Sequence, residues 1–158
     1  MSSITQIQSD TWVAATWDDY LQAIANPAYE KAKGYYCNGQ MRLEMLPVGS
    51  DHSRDHLVIA FAINLFATLK GITLTGRDNC SYRRVGVQEC QPDISYHLGN
   101  KAQAIPYGTS IVDLDRYPVP DLVIEVAVTS LLDDPGLWMY RILRFLPLRW
   151  PIAVADEL

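Results

Sequence analysis

Pro120-Asp121-Leu122-Val123-Ile124-Glu125-Val126-Ala127-Val128 has the composition of a strand enclosed on both faces, with one glutamate inside it. A carboxylate in such a run is costly unless it is paired, hydrogen-bonded or metal-bound. A second carboxylate raises the same question upstream. In Gln91-Pro92-Asp93-Ile94-Ser95-Tyr96-His97, Asp93 opens a strand on which Asp93, Ser95 and His97 share one face. Two carboxylates on neighbouring strands make a hard-oxygen set suited to Mg²⁺ or Mn²⁺, completed by water and phosphate oxygens. An ion held in this way activates water and neutralises charge on a phosphodiester. The structural alternatives are that Asp93 merely starts a strand after proline and that Glu125 pairs with an arginine such as Arg83 or Arg84.

Outward from these two runs the chain alternates between helical and extended patterns. Thr16 is placed to cap a short helix over 17–25, with Asp18 and Asp19 in its first turn. A further helical piece is expected over 28–33, stopped by Gly34. Asn38-Gly39 between Tyr35-Tyr36-Cys37 and the run 40–46 predicts a tight hairpin, because both turn positions need positive φ. Ser50 is expected to cap a long helix over 51–70, ended by Gly71. Its apolar face is taken as Leu57, Val58, Phe61, Leu65 and Leu69, widened by Ile59, Ala60 and Ala62, so the helix should be largely covered. Strands are predicted over 72–75, 81–87, 93–97 and 121–127, with a short one over 111–114. Helix, hairpin, long helix and several strands make a mixed α/β (α+β) domain, not a regular βαβ series.

The 158 residues suit one domain, with 49% hydrophobic and 20% charged residues, and the net charge of -5 argues against a basic nucleic-acid coat. It leaves a metal-dependent nuclease open, because a metal can recruit phosphate to an acidic site. Cys37, Cys80 and Cys90 are odd in number and lack CxxC spacing, which disfavours a disulfide framework or a zinc site and fits a reducing cytoplasm. No apolar run is long enough to span a bilayer, so no membrane partner is expected.

Other polar residues offer weaker signals. His52 and His56 share a helical face without an HExxH pattern. His97 lies on the Asp93 face and is a candidate to reach substrate, although a role as a strand-end polar residue ranks above it. Glu44 sits among Met41, Leu43 and Met45, and Glu30 fits a helix surface. Arg77, Arg83 and Arg84 could contact phosphate, or simply keep a strand edge soluble.

Four motifs stand in a recognisable order: Tyr35-Tyr36-Cys37-Asn38-Gly39-Gln40-Met41, Pro47-Val48-Gly49-Ser50-Asp51-His52, Gln91-Pro92-Asp93-Ile94-Ser95-Tyr96, and Pro120-Asp121-Leu122-Val123-Ile124-Glu125-Val126. Together they resemble the Uma-two family of bacterial restriction endonucleases, within the PD-(D/E)XK superfamily. The resemblance implies a restriction-endonuclease-like central mixed sheet flanked by helices over residues 15–134, preceded by a flexible lead over 1–14. It implies metal ligation by Asp93 and Glu125, assistance from Glu44 or Glu30, a substrate-side role for His52, and strand entry at Asp121. DNA is the implied substrate, and a homodimer follows by analogy.

One departure concerns the superfamily lysine. Glu-x-Lys would place it at 127, where this chain has Ala127. The family tends to compensate with a lysine in the next helix, after a stretch like Ser130-Leu131-Leu132-Asp133-Asp134-Pro135-Gly136. Here no lysine follows Lys101. From Pro135 the likeness fades. A helix from Pro135 to Leu146 is expected, and 135–158 reads as a divergent, truncated or frame-altered end. The expected function is metal-dependent DNA hydrolysis, impaired by the missing lysine. The alternative is a catalytically inactive nuclease fold that keeps a binding role or none. A small-molecule hydrolase using His52 finds no nucleophile motif.

Overall fold

The computed structural model describes residues 11–45, 49–127 and 139–143. In chain order the strands are β1 (Val13–Ala14), β2 (Ala32–Cys37), β3 (Gln40–Met45), β4 (Leu74–Asp78), β5 (Ser81–Arg84), β6 (Gln88–Cys90), β7 (Ile94–Leu98), β8 (Ile111–Asp113), β9 (Leu122–Ala127) and β10 (Met139–Leu143). The helices are α1 (Trp17–Ile24) and α2 (Ser50–Lys70), with 3₁₀ turns at Pro27–Tyr29 and Gly99–Lys101. The fold is mixed α+β, consistent with a restriction-endonuclease-like architecture. It divides into two compact units, Met1–Pro47 with Ser81–Gln91 and Val48–Cys80 with Pro92–Leu158.

In the first unit the strands run in the order β1-β3-β2-β6-β5. The β2–β3 hairpin turns at Asn38 (φ 51°) and Gly39 (φ 72°), the left-handed pair that the dipeptide predicts. Thr16 caps α1, as expected, and does so in a reciprocal capping box with Asp19. Helix α1 lays Tyr20 and Ala23 over Tyr36, Met41 and Leu43. Trp17, Tyr20 and Tyr36 form an aromatic cluster with ring centroids 5.1 to 5.5 Å apart. The Tyr20 hydroxyl lies against Gly34, where a Cβ would fall 2.5 Å from it, so only glycine fits that strand position. Burial pushes the Tyr20 phenol well above its ordinary pKa, with the Glu89 carboxylate adding to the effect.

In the second unit the order is β10-β9-β7-β4. Ile94, Tyr96, Ile124 and Val126 form the sheet's buried face, and Ile59, Ala60 and Ile63 of α2 pack on it. Gly76 pairs across from Tyr96, whose ring would lie 2.7 Å from a Cβ there. The Tyr96 hydroxyl, which Asn64 contacts at 3.0 Å, is within 3.3 Å of the Ala60 carbonyl and ties the ring to the helix.

Several expectations are corrected. The face assigned to α2 points outward: Leu57 is 71% exposed, Phe61 68% and Leu69 75%, while Ile59, Ala60 and Ile63 meet the sheet. A helix apolar all round gives no periodic signal to choose a face. Gly49, not Ser50, is the N-cap, without a side-chain bond. The helical piece expected over 28–33 is one 3₁₀ turn capped by Asn26, because Lys33 and Gly34 pair with Glu44 and Leu43 in the hairpin. The run 81–87 turns back at Gly86 (φ 73°) into β6. Met139–Leu143 is a strand paired antiparallel with β9, not a helix. Periodicity cannot separate the two for a wholly apolar segment, and the edge of β9 supplies the ladder. The lead over 1–10, the motif over 130–136 and the rest of the expected final helix lie outside the described residues.

Candidate metal centre

The centre lies in the second unit. Strands β7 and β9 pair antiparallel, with Ile94 opposite Ile124 and Ser95 opposite Val123. Asp93 lies in the bend just before β7 and comes beside Glu125 through side-chain contacts. Their contacts interlock: the Asp93 N–H donates to Glu125 Oε2 at 3.3 Å, and the Val126 N–H donates to Asp93 Oδ2 at 2.7 Å. Asp93 is buried and Glu125 half-buried.

Helix α2 adds two imidazoles, one turn apart, with ring centroids separated by 6.1 Å. His52 Nε2 stands 3.6 Å from Asp93 Oδ1. His56 Nε2 stands 3.0 Å from the Asp93 carbonyl oxygen and 3.1 Å from Asp78 Oδ1. The same carbonyl accepts the Asn79 N–H at 3.0 Å. His56 and Asp78 were not read as site residues from sequence. The i,i+4 spacing to His52 was the available signal for His56, and Asp78 carried none.

Carboxylate oxygens are the donors that a hard divalent cation takes, and each carboxylate here also accepts a backbone N–H. Among the described residues no three His, Cys, Asp or Glu side chains converge as a closed cage. A cation here would complete its shell from water, backbone and substrate oxygens, the habit of Mg²⁺.

Residues 17–155 match the Uma2 family, whose description is "Putative restriction endonuclease". The chain belongs to the Uma2 family. The match extends past Pro135, where the quoted motifs end. Neither a curated protein nor a solved structure matches the chain.

The other residues singled out from sequence have separate placements in this Uma2 chain. His97 is fully enclosed; its Nδ1 lies 3.1 Å from Arg77 Nη1 and its Nε2 lies 3.0 Å from the Pro118 carbonyl. A guanidinium donates and a carbonyl accepts, so the ring is the neutral Nε2–H tautomer. Burial lowers its pKa, with the Arg77 charge adding to the effect, although the Pro118 bond opposes it. His97 is therefore a core residue, which corrects its reading as a substrate contact. Arg83 is likewise engaged, bonded through both Nε and Nη2 to the buried Glu89. Glu44 belongs to the first unit, 3.8 Å from Arg42 Nη2, and Glu30 closes the 3₁₀ turn there. Asp121 accepts from the Leu98 N–H at 2.9 Å and from Lys101 Nζ at 2.6 Å. Burial raises its pKa, but these two partners outweigh it and hold the carboxyl below its ordinary value. That is the strand-entry role expected. Across the β9–β10 ladder, Arg141 pairs with Glu125 and Met139 with Ala127.

Proposed function

We propose that this Uma2 chain is a DNA endonuclease dependent on Mg²⁺ or Mn²⁺, with Asp93 and Glu125 as the ion's ligands. The reading is supported by the Glu125 carboxylate at the Asp93 N–H, with the Asp93 carboxylate at the neighbouring Val126 N–H, in a family described as "Putative restriction endonuclease". When bound, the ion supplies Lewis-acid polarisation of the phosphodiester and acidifies water. The chain's own residues do the rest. The Val126 N–H orients Asp93, and the Glu125 carboxylate is set by the Asp93 N–H. His52, beside Asp93 Oδ1, is the side chain placed to hydrogen-bond a phosphate oxygen entering the centre.

Cleavage by this chain is slow in our reading, because Ala127 replaces the Glu-x-Lys lysine. Arg141, opposite Glu125 in register, cannot act as a base at neutral pH. The same replacement supports the second reading, a nuclease fold that binds without cutting. Three free cysteines fit a reducing compartment, the cytoplasm, and among the described residues no helix is long and apolar enough to cross a membrane. Cutting both strands of a duplex calls for two centres, so a homodimer is part of the proposal; light scattering reads it.

Calorimetry with Mg²⁺ and Mn²⁺ on wild type and Glu125→Ala tests the centre. Binding by wild type alone is expected, and no binding by either protein would remove the reading. Nicking of supercoiled plasmid tests the chemistry: Ala127→Lys should cut faster than wild type. Metal binding without nicking by either protein favours the non-cutting reading.

A further inference from the structure

We infer that His56, through the Asp93 backbone carbonyl, is a positioning residue that sets the Asp93 carboxylate against Glu125. The inference rests on the metal-centre reading for its purpose, but not for its geometry. His56 Nε2 faces two groups, the Asp93 carbonyl at 3.0 Å and Asp78 Oδ1 at 3.1 Å. A carbonyl and a carboxylate both accept, so Nε2 carries the proton and shares it between them. A protonated Nε2 has no lone pair to give a cation, so His56 acts on the centre through Asp93 and not as a ligand by that atom.

The Asp93 peptide is held from several sides. Its carbonyl accepts from His56 and from the Asn79 N–H, which occupies both lone pairs. Its own N–H goes to Glu125 and its Oδ2 takes the Val126 N–H. Asp93 also follows Pro92, whose fixed φ narrows the approach to the strand. His56 and His52 both reach Asp93 from α2, His52 at Oδ1 and His56 at the backbone carbonyl, so His56 transmits the seating of the helix to the Asp93 backbone. The His56 side chain is 16% exposed and that of Asp78 71%, so water can take over the Asp78 share of the proton. The Asp93 carbonyl is the contact that matters. Outer partners that orient metal ligands in this way change affinity without touching the ion.

The test uses the full chain as wild type, His56→Leu, which matches the bulk without a donor, and His56→Gln, whose amide N–H restores one. Two readouts are taken: the amide proton shift of Val126, the donor to Asp93 Oδ2, and Mg²⁺ affinity by calorimetry. His56→Leu is expected to move the Val126 amide upfield and to weaken Mg²⁺ about 10–100-fold. His56→Gln should recover most of both. A folded His56→Leu with an unmoved Val126 amide overturns the inference, as does a lowered melting temperature with unchanged affinity. If wild type itself gives no Mg²⁺ heat, the metal reading fails and the amide shift alone decides this one. Should His56→Leu not fold, wild type still decides: scalar coupling between His56 Nε2 and the Asp93 carbonyl carbon supports the bond, and its absence overturns it.

Discussion

Glu89 and Glu125 are both glutamates enclosed within strands, and the two units balance them differently. In the first unit, β6 sets Glu89 directly across from Arg83, and a guanidinium meets the carboxylate through two parallel bonds. In the second, the β7–β9 ladder brings Glu125 beside another carboxylate, Asp93, with backbone N–H groups and His52 at the pair. The first arrangement consumes its own charge and stabilises a fold. The second sets Glu125 beside the Asp93 backbone on one side and in register with Arg141 on the other. A glutamate in an apolar strand is therefore no sign of a site by itself.

Removing either carboxylate sharpens that contrast. Glu89→Ala leaves Arg83 facing a gap, and we expect a loss of about 3 kcal/mol in denaturant melts, the low end for a broken buried pair because Arg83 keeps some water. The Arg83→Met/Glu89→Leu double variant should recover most of it. A smaller effect comes from acid. His97 is held neutral in the second unit, with its pKa below 6.5. The unfolded chain therefore takes up a proton first, so the contribution of His97 is complete above pH 6.5 and is lost as pH falls through the lower folded value. Amide exchange should show β7 and β9 losing protection in that window before β2 and β3 do. Asp121, with its lowered pKa, contributes down to a separate window below pH 3.8. Smaller again is Glu125→Gln, which keeps an acceptor for the Asp93 N–H and removes one of two facing charges. Its stability should stay within about 1 kcal/mol of wild type while calorimetric Mg²⁺ binding disappears. A large loss of stability there would make Glu125 a structural glutamate like Glu89. The least change is expected for Leu57→Gln, on the open face of α2, at about 0.5 kcal/mol or less in the same melts.

Much of this was legible in the residues. Asn38-Gly39 specified its hairpin because few residues tolerate two successive left-handed positions. Thr16 specified the start of α1 because orphan helix N–H groups take the nearest side-chain oxygens. Asp93 and Glu125 stood out because a carboxylate in an apolar strand needs an explanation. His97 was misread for the complementary reason: strand parity placed it on the Asp93 face, but parity is blind to what covers that face. Arg83 was a candidate for Glu125 or for phosphate until the ladder gave it Glu89.

Local chemistry, written in the order of residues, was sufficient for the Asn38-Gly39 turn, the Thr16 cap and the two acidic side chains that stood out in apolar company. The partners themselves were settled by strand register and by the rotation of α2, which depend on packing between segments far apart in the chain. Backbone preference acts over a few residues, whereas the meeting of Asp93 with Glu125 and His56, like the outward turn of Leu57, Phe61 and Leu69, is set by which surfaces close on each other.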